Sequence, residues 1–128
     1  AYGQDDMPAF WSRSAGIRAP LRMDTSAQIA AAHAMRGALG LPGGQLIANP
    51  IPEADEIDRD TLAPIIAQAQ ADAEANRITG KGVTPYLLRR IFDLTMGKSL
   101  TANIALVRNN ARLATQIAKE LSKANYDT

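Results

Sequence analysis

Asn103 and Asn110 are the side chains whose type and placement point most directly to binding chemistry. They lie two helical turns apart in the longest helical pattern of the chain, which opens at Ser99 and runs to about Lys123. On a wheel of about 100° per residue both fall inside the apolar arc, away from the charged stripe of Arg108, Arg112 and Lys119. A buried amide without a partner costs about 1–3 kcal/mol, so each must bond backbone, water or a ligand. A bond to a neighbouring loop is the structural reading; a ligand contact near a helix start is the functional one. Arg13, Ser14 and Gly16 are the polar positions of an aperiodic segment that can face a ligand. Lys81, between Gly80 and Gly82, is either an exposed anion contact or a solvated loop lysine. His33 is the only histidine, and no carboxylate or second histidine stands at metal spacing from it. Taken alone, these residues contain no nucleophile and base pair, no metal cluster and no catalytic dyad.

The elements that must position these groups follow from periodicity and punctuation. Leu100, Ile104, Val107, Ala111, Ala114, Ala118 and Leu121 recur at helical spacing, and Leu106, Leu113 and Ile117 widen the arc, so this helix is expected to be core. Ser99 is its expected N-cap, and Gly97 ends the helix before it. Residues 1–23 carry Pro8, Phe10, Trp11, Gly16 and Pro20 without a period and read as a long irregular loop anchored by Phe10 and Trp11. Residues 24–52 hold a helix capped within Asp24, Thr25 and Ser26 and stopped by Gly40, then a short apolar strand at residues 45–48 closed by Asn49, Pro50, Ile51 and Pro52. Residues 53–60 read as an acidic, solvated linker. Three helices then fill residues 60–124. The first has Pro64 in its opening turn and the second begins with Thr84 as N-cap before Pro85. A strand that short among helices implies a helix-covered sheet whose other strands lie elsewhere.

Composition bounds the partners. With 14 basic against 13 acidic residues, and no Lys/Arg cluster interleaved with aromatics, a nucleic-acid polymer is not an expected partner. No apolar run approaches a membrane span or a signal peptide, so no membrane partner is expected either. The absence of cysteine excludes disulfides, thiolate metal sites and Cys nucleophiles, and leaves the cytoplasm as the expected compartment. The start at Ala1, Tyr2 and Gly3 looks like the end of a strand running into a loop, as though interior to a longer protein.

Along nearly its full length the sequence resembles the pseudouridine-5′-phosphate glycosidase family, which includes indigoidine-synthase-A-like proteins. The resemblance rests on Tyr2, Gly3 and Asp5; on Pro8, Ala9 and Phe10; and on Ser12, Arg13, Ser14 and Gly16. It continues through Leu39-Gly40-Leu41, Ala48-Asn49-Pro50-Ile51-Pro52, Gly80-Lys81 and Val83-Thr84-Pro85. The last helix adds Ser99-Leu100, Asn103-Ile104, Leu106-Val107 and Asn109-Asn110-Ala111. Ala15, Gln4 and Tyr86 depart from the usual Ser, Thr and Phe. The resemblance implies an α/β fold, with this chain as the helix-rich C-terminal portion of an α/β/α layered, homotrimeric, cytoplasmic enzyme. That enzyme cleaves the C–C glycosidic bond of pseudouridine 5′-phosphate to uracil and ribose 5-phosphate. A lysine Schiff base serves as electron sink, an acidic residue moves protons, and a divalent metal such as manganese assists. The Schiff-base lysine, the acidic residue and the metal ligand are implied to lie in an upstream part, so no catalytic or metal residue is expected in this chain. The substrate contact implied within it is Asn103, with Arg13 and Ser14 as weaker candidates. A C–C bond-forming glycosynthase of the same family, or a non-catalytic helical interaction module, remain the alternatives.

Overall fold

A computed structural model of the chain describes residues 1–124. Residues 1–23 form an ordered loop held by backbone bonds. Met7 N donates to Ile17 O at 2.9 Å, Ala15 N to Met7 O at 2.8 Å and Ala19 N to Asp5 O at 2.8 Å. Tyr2 bridges Met23 in parallel, and Asp6 bridges Arg18 antiparallel. Residues 45–48, expected as a strand, run without regular structure. Their single backbone tie among the described residues is Tyr2 N to Ala48 O at 2.9 Å, because a strand forms only where a neighbour offers a complete row of donors and acceptors.

Four helices follow: α1 (Ser26–Ala38), α2 (Arg59–Ala75), α3 (Val83–Leu94) and α4 (Lys98–Ala124). Thr25 caps α1 in a full capping box, its hydroxyl accepting from Gln28 N while the Gln28 side chain accepts from Thr25 N. Asp58 caps α2 by accepting from Thr61 N at 3.0 Å, which starts that helix earlier than its proline suggests. Pro64 therefore sits in the second turn, and the carbonyl of Asp60 loses its helical donor. The expected acidic linker tightens into a 3₁₀ turn at Glu53–Asp55, and beyond it Ile57 is pinned to the loop by Ile57 N to Trp11 O at 2.8 Å. A second 3₁₀ turn at Gly80–Gly82 runs directly into α3, so Gly82 is the N-cap and Thr84 and Pro85 fall in the first turn.

The junction of α3 and α4 also differs from expectation. Ser99 lies buried inside the first turn of α4 and is not its cap. The buried Thr95 serves instead: its hydroxyl donates to Ile91 O at 2.7 Å and accepts from Ser99 N at 3.2 Å, closing one helix and opening the next. The chain turns between them through Met96 and Gly97, both left-handed, with Gly97 N bonded to Phe92 O at 2.9 Å and Met96 N to Asp93 O at 3.2 Å. The same ending occurs after α1 at Gly40 and after α2 at Arg77.

Packing joins α1 to α4, α2 to α3, and the foot of α3 to α4. The central core comprises Trp11, Ile51, Leu62, Ala69, Ile91, Ala102 and Leu106. Of the expected anchoring pair only Trp11 is buried; Phe10 stays exposed and meets its ring edge to face at 4.6 Å. On α4 the buried side is Ser99, Ala102, Leu106 and Leu113, whereas Leu100, Ile104 and Val107 are 49%, 51% and 58% exposed. The expectation that this second line is covered fails within this chain, because α1 and the core occupy only the other flank of the apolar arc.

Between α2 and α3 the Arg90 guanidinium donates to Asp72 Oδ2 at 2.6 Å, and Gln68 donates to Asp72 Oδ1 at 2.8 Å. The Arg90 bond is the main cause of a lowered Asp72 pKa, and the Gln68 bond adds to it. A carboxylate whose folded pKa lies below its unfolded value stabilises the fold above the unfolded value, and that contribution disappears as pH falls through the folded one. We therefore expect Asp72→Asn to lower the melting temperature at neutral pH and to flatten its decline below the ordinary carboxylate range. Thermal melts from pH 7 down to pH 3 test this. Parallel curves for the two proteins would refute the linkage.

Candidate functional site

The stretch 49–57 is threaded between the N-terminal loop and α4, and side chains from both sides bind its backbone. Asn109 Nδ2 donates to Pro50 O at 3.0 Å, and Asn49 Nδ2 donates to Asn110 Oδ1 at 3.0 Å. From the loop, Arg13 Nη1 donates to Ile51 O at 2.8 Å and Ser12 Oγ to Ile57 O at 2.6 Å. Ile51 between them is completely buried. Trp11 completes the lock, its indole N–H donating to Ser99 O at 3.0 Å in the first turn of α4. The loop is thus fixed to the start of the helix that carries Asn103.

The asparagines separate by role. Asn110, though exposed, has the structural outcome, paired with the loop residue Asn49. Asn103 is half-buried in the second turn of α4, and its side chain makes no hydrogen bond among the described residues. At about 100° per residue it lies midway between the buried line of Ala102, Leu106 and Leu113 and the exposed line of Leu100, Ile104 and Val107. A free amide held at that position has two donors and an acceptor for a polar ligand.

Arg13 and Ser14 spend their groups on the loop and on the 49–57 stretch. Besides Ile51 O, the Arg13 guanidinium reaches Gln4 Oε1 at 3.5 Å, and its backbone N donates to Glu56 Oε2 at 2.9 Å. Ser14 Oγ donates to Asp6 Oδ2 at 2.8 Å and accepts from Gly16 N at 3.0 Å. Gly16 is left-handed, which favours glycine there, whereas the Arg59 guanidinium beside it is the flexible end of a side chain and could move aside for a Cβ. Lys81, Lys98, Lys119 and Lys123 are all exposed, as is His33. Among the described residues no group of three or more His, Asp or Glu side chains is placed to hold a metal ion, so these residues do not fit the divalent metal that the resemblance implies. No helix of the described residues is long and apolar enough to cross a membrane.

Two contacts that position the candidate site were not legible in the sequence. Thr95 sets the direction of α4 through bonds to both helices, and nothing in its neighbourhood distinguishes it from a surface threonine. Asn109 holds Pro50 across a separation of 59 residues, a pairing that only the fold creates.

Known proteins resemble the chain along nearly its whole length. The chain is 68% identical over 119 residues to the pseudouridine-5′-phosphate glycosidase of Roseobacter denitrificans, covering 93% of this chain and 38% of that protein. To the enzyme of the same name from Jannaschia sp. it is 59% identical over 122 residues, or 95% and 40% of the two lengths. The chain thus spans about two fifths of these relatives, at their C-terminal end. Among solved structures, the prealnumycin C-glycosynthase AlnA in complex with ribulose 5-phosphate superposes with a TM-score of 0.88 at 29% identity, over 99% of this chain and 42% of that one. An indigoidine synthase A-like protein from Thermotoga maritima superposes with a TM-score of 0.79 at 30% identity, over 91% and 38%. These likenesses bear out the helix-rich C-terminal portion of an α/β enzyme fold, here with two isolated bridges as its strand content among the described residues. Residues 1–120 match the family described as indigoidine synthase A like protein, and the chain belongs to that family.

Proposed function

We propose that the chain is the C-terminal part of an enzyme that cleaves the C–C glycosidic bond of pseudouridine 5′-phosphate. The observation that carries this reading is the 68% identity to a protein of that activity, against 29% to the C-glycosynthase. In the reaction the bond between ribose C1 and the uracil ring breaks, and water supplies the atoms that complete uracil and ribose 5-phosphate. Breaking a C–C bond requires an electron sink, and on our reading an upstream lysine iminium provides it, with an acidic residue and a divalent metal, manganese, in the same part. This chain contributes Asn103 as a substrate contact and the Trp11, Arg13 and Asn109 ties that fix its helix. We further read the whole enzyme as a cytoplasmic homotrimer.

The likeness to AlnA, whose structure holds ribulose 5-phosphate, favours bond formation as a second reading of the same site. Both readings are tested by joining these residues to the preceding portion of the Roseobacter denitrificans relative and assaying both directions. Uracil release from pseudouridine 5′-phosphate is expected at a rate comparable to that of the relative itself. Because a catalyst speeds both directions of one equilibrium, a chimera that folds, does not interconvert pseudouridine 5′-phosphate with uracil and ribose 5-phosphate, and joins ribose 5-phosphate to a different carbon acceptor would exchange the first reading for the second.

A further inference from the structure

The most exposed apolar line on α4 is Leu100, Ile104 and Val107, three large side chains within about 60° of helix arc. The charged stripe of Arg108, Arg112 and Lys119 lies about a quarter-turn away, so this line is distinct from the solvent face. Contiguous apolar side chains left open in this way mark surfaces that are covered in the assembled molecule. The candidates for the cover differ. A second copy would need nothing beyond this chain, but the relatives carry about three fifths of their length ahead of the matched stretch, and that portion must rest on something. Backbone groups between α1 and α2 are also open: Gln45, Leu46 and Ile47 have no backbone bond among the described residues, and the Leu46 side chain is almost fully exposed.

We propose that Leu100, Ile104 and Val107 form the seat of the polypeptide that precedes the matched stretch in the relatives, and that the substrate site closes along this seam. Asn103, midway between the buried line and the seat, is then the residue through which α4 reaches into the site. This inference rests on the reading of the chain as part of a longer enzyme, and it adds the face that receives the rest.

Because the chain has no cysteine, single thiols can map the seat. Ile104→Cys and Val107→Cys are made separately in the chimera with the Roseobacter denitrificans portion, with exposed Lys119→Cys as reference and the unsubstituted chimera as blank. Both I104C and V107C thiols should react with a maleimide about tenfold or more slower than the K119C thiol, since reaction requires local opening. That protection should be independent of protein concentration. Reaction at the reference rate at both positions would overturn the proposal. Protection that appears only as concentration rises would also overturn it, by assigning the face to a second copy. Uracil release measured on the same samples separates the two failures: protected thiols without uracil defeat the proposed reaction alone, and free thiols with uracil defeat the seat alone.

Discussion

Asn103→Ala in the intact enzyme is expected to lower kcat/KM for pseudouridine 5′-phosphate by about 10- to 100-fold, the worth of one hydrogen bond to a charged or strongly polar group. The melting temperature should scarcely move. The reason for that asymmetry is that the Asn103 side chain makes no hydrogen bond among the described residues, so truncating it removes no internal hydrogen bond and orphans no partner. Asn110→Ala provides the contrast: it leaves Asn49 Nδ2 without its acceptor and should cost stability before it costs turnover. Steady-state kinetics and thermal melts on the two variants decide the matter. Unchanged turnover in Asn103→Ala, with a lowered melting temperature, would reassign Asn103 to the fold.

A larger effect on stability is expected at Trp11. Its ring is 7% exposed within the central core, and its indole N–H holds Ser99 O at 3.0 Å. Truncation to alanine combines a large cavity with the loss of the indole bond, leaving Ser99 O only its helical donor from Asn103 N, and changes of this kind cost about 3–5 kcal/mol. Small domains have about 5–15 kcal/mol in all, so Trp11→Ala should bring the fold close to its limit. Trp11→Phe keeps most of the ring volume and loses the donor, and should cost clearly less. Denaturant titrations followed by circular dichroism serve both variants, since Trp11 is the only tryptophan and fluorescence would vanish with it. A cost below about 1 kcal/mol for the alanine variant would show that the loop is not locked by this residue.

Asp58 caps α2 from within the expected linker, and Gly82 and Thr95 replace the expected caps Thr84 and Ser99, yet the helices themselves were readable, from apolar periodicity and from the glycines past the ends at Gly40 and Gly97. The side that α4 buries was not. Its apolar arc is wide enough to serve two partners, and periodicity cannot say which flank this chain itself covers; the answer depends on where α1 and Trp11 come to rest. The strand at residues 45–48 failed for a related reason, since apolar β-forming residues specify a ladder only beside a partner. At the site, the inward-leaning position of Asn103 followed from the wheel and its proposed role from the resemblance. The anchoring by Asn109 and Thr95 depends on contacts between distant segments and left no local trace.

The bond from Trp11 to Ser99 closes a loop of 88 residues. During synthesis, at roughly 5–20 residues per second, about 4–18 seconds separate the appearance of the indole from that of the carbonyl that receives it. Ile51 waits similarly for Ala102 and Leu106, the α4 members of its core. The capped helices α1 and α2 can form as they emerge, but the cluster that joins them cannot close until α4 has left the ribosome. Nascent chains of this protein are therefore expected to present the Phe10 and Trp11 pair to chaperones throughout elongation, and a pause placed ahead of α4 would lengthen that exposure while leaving the finished fold unchanged.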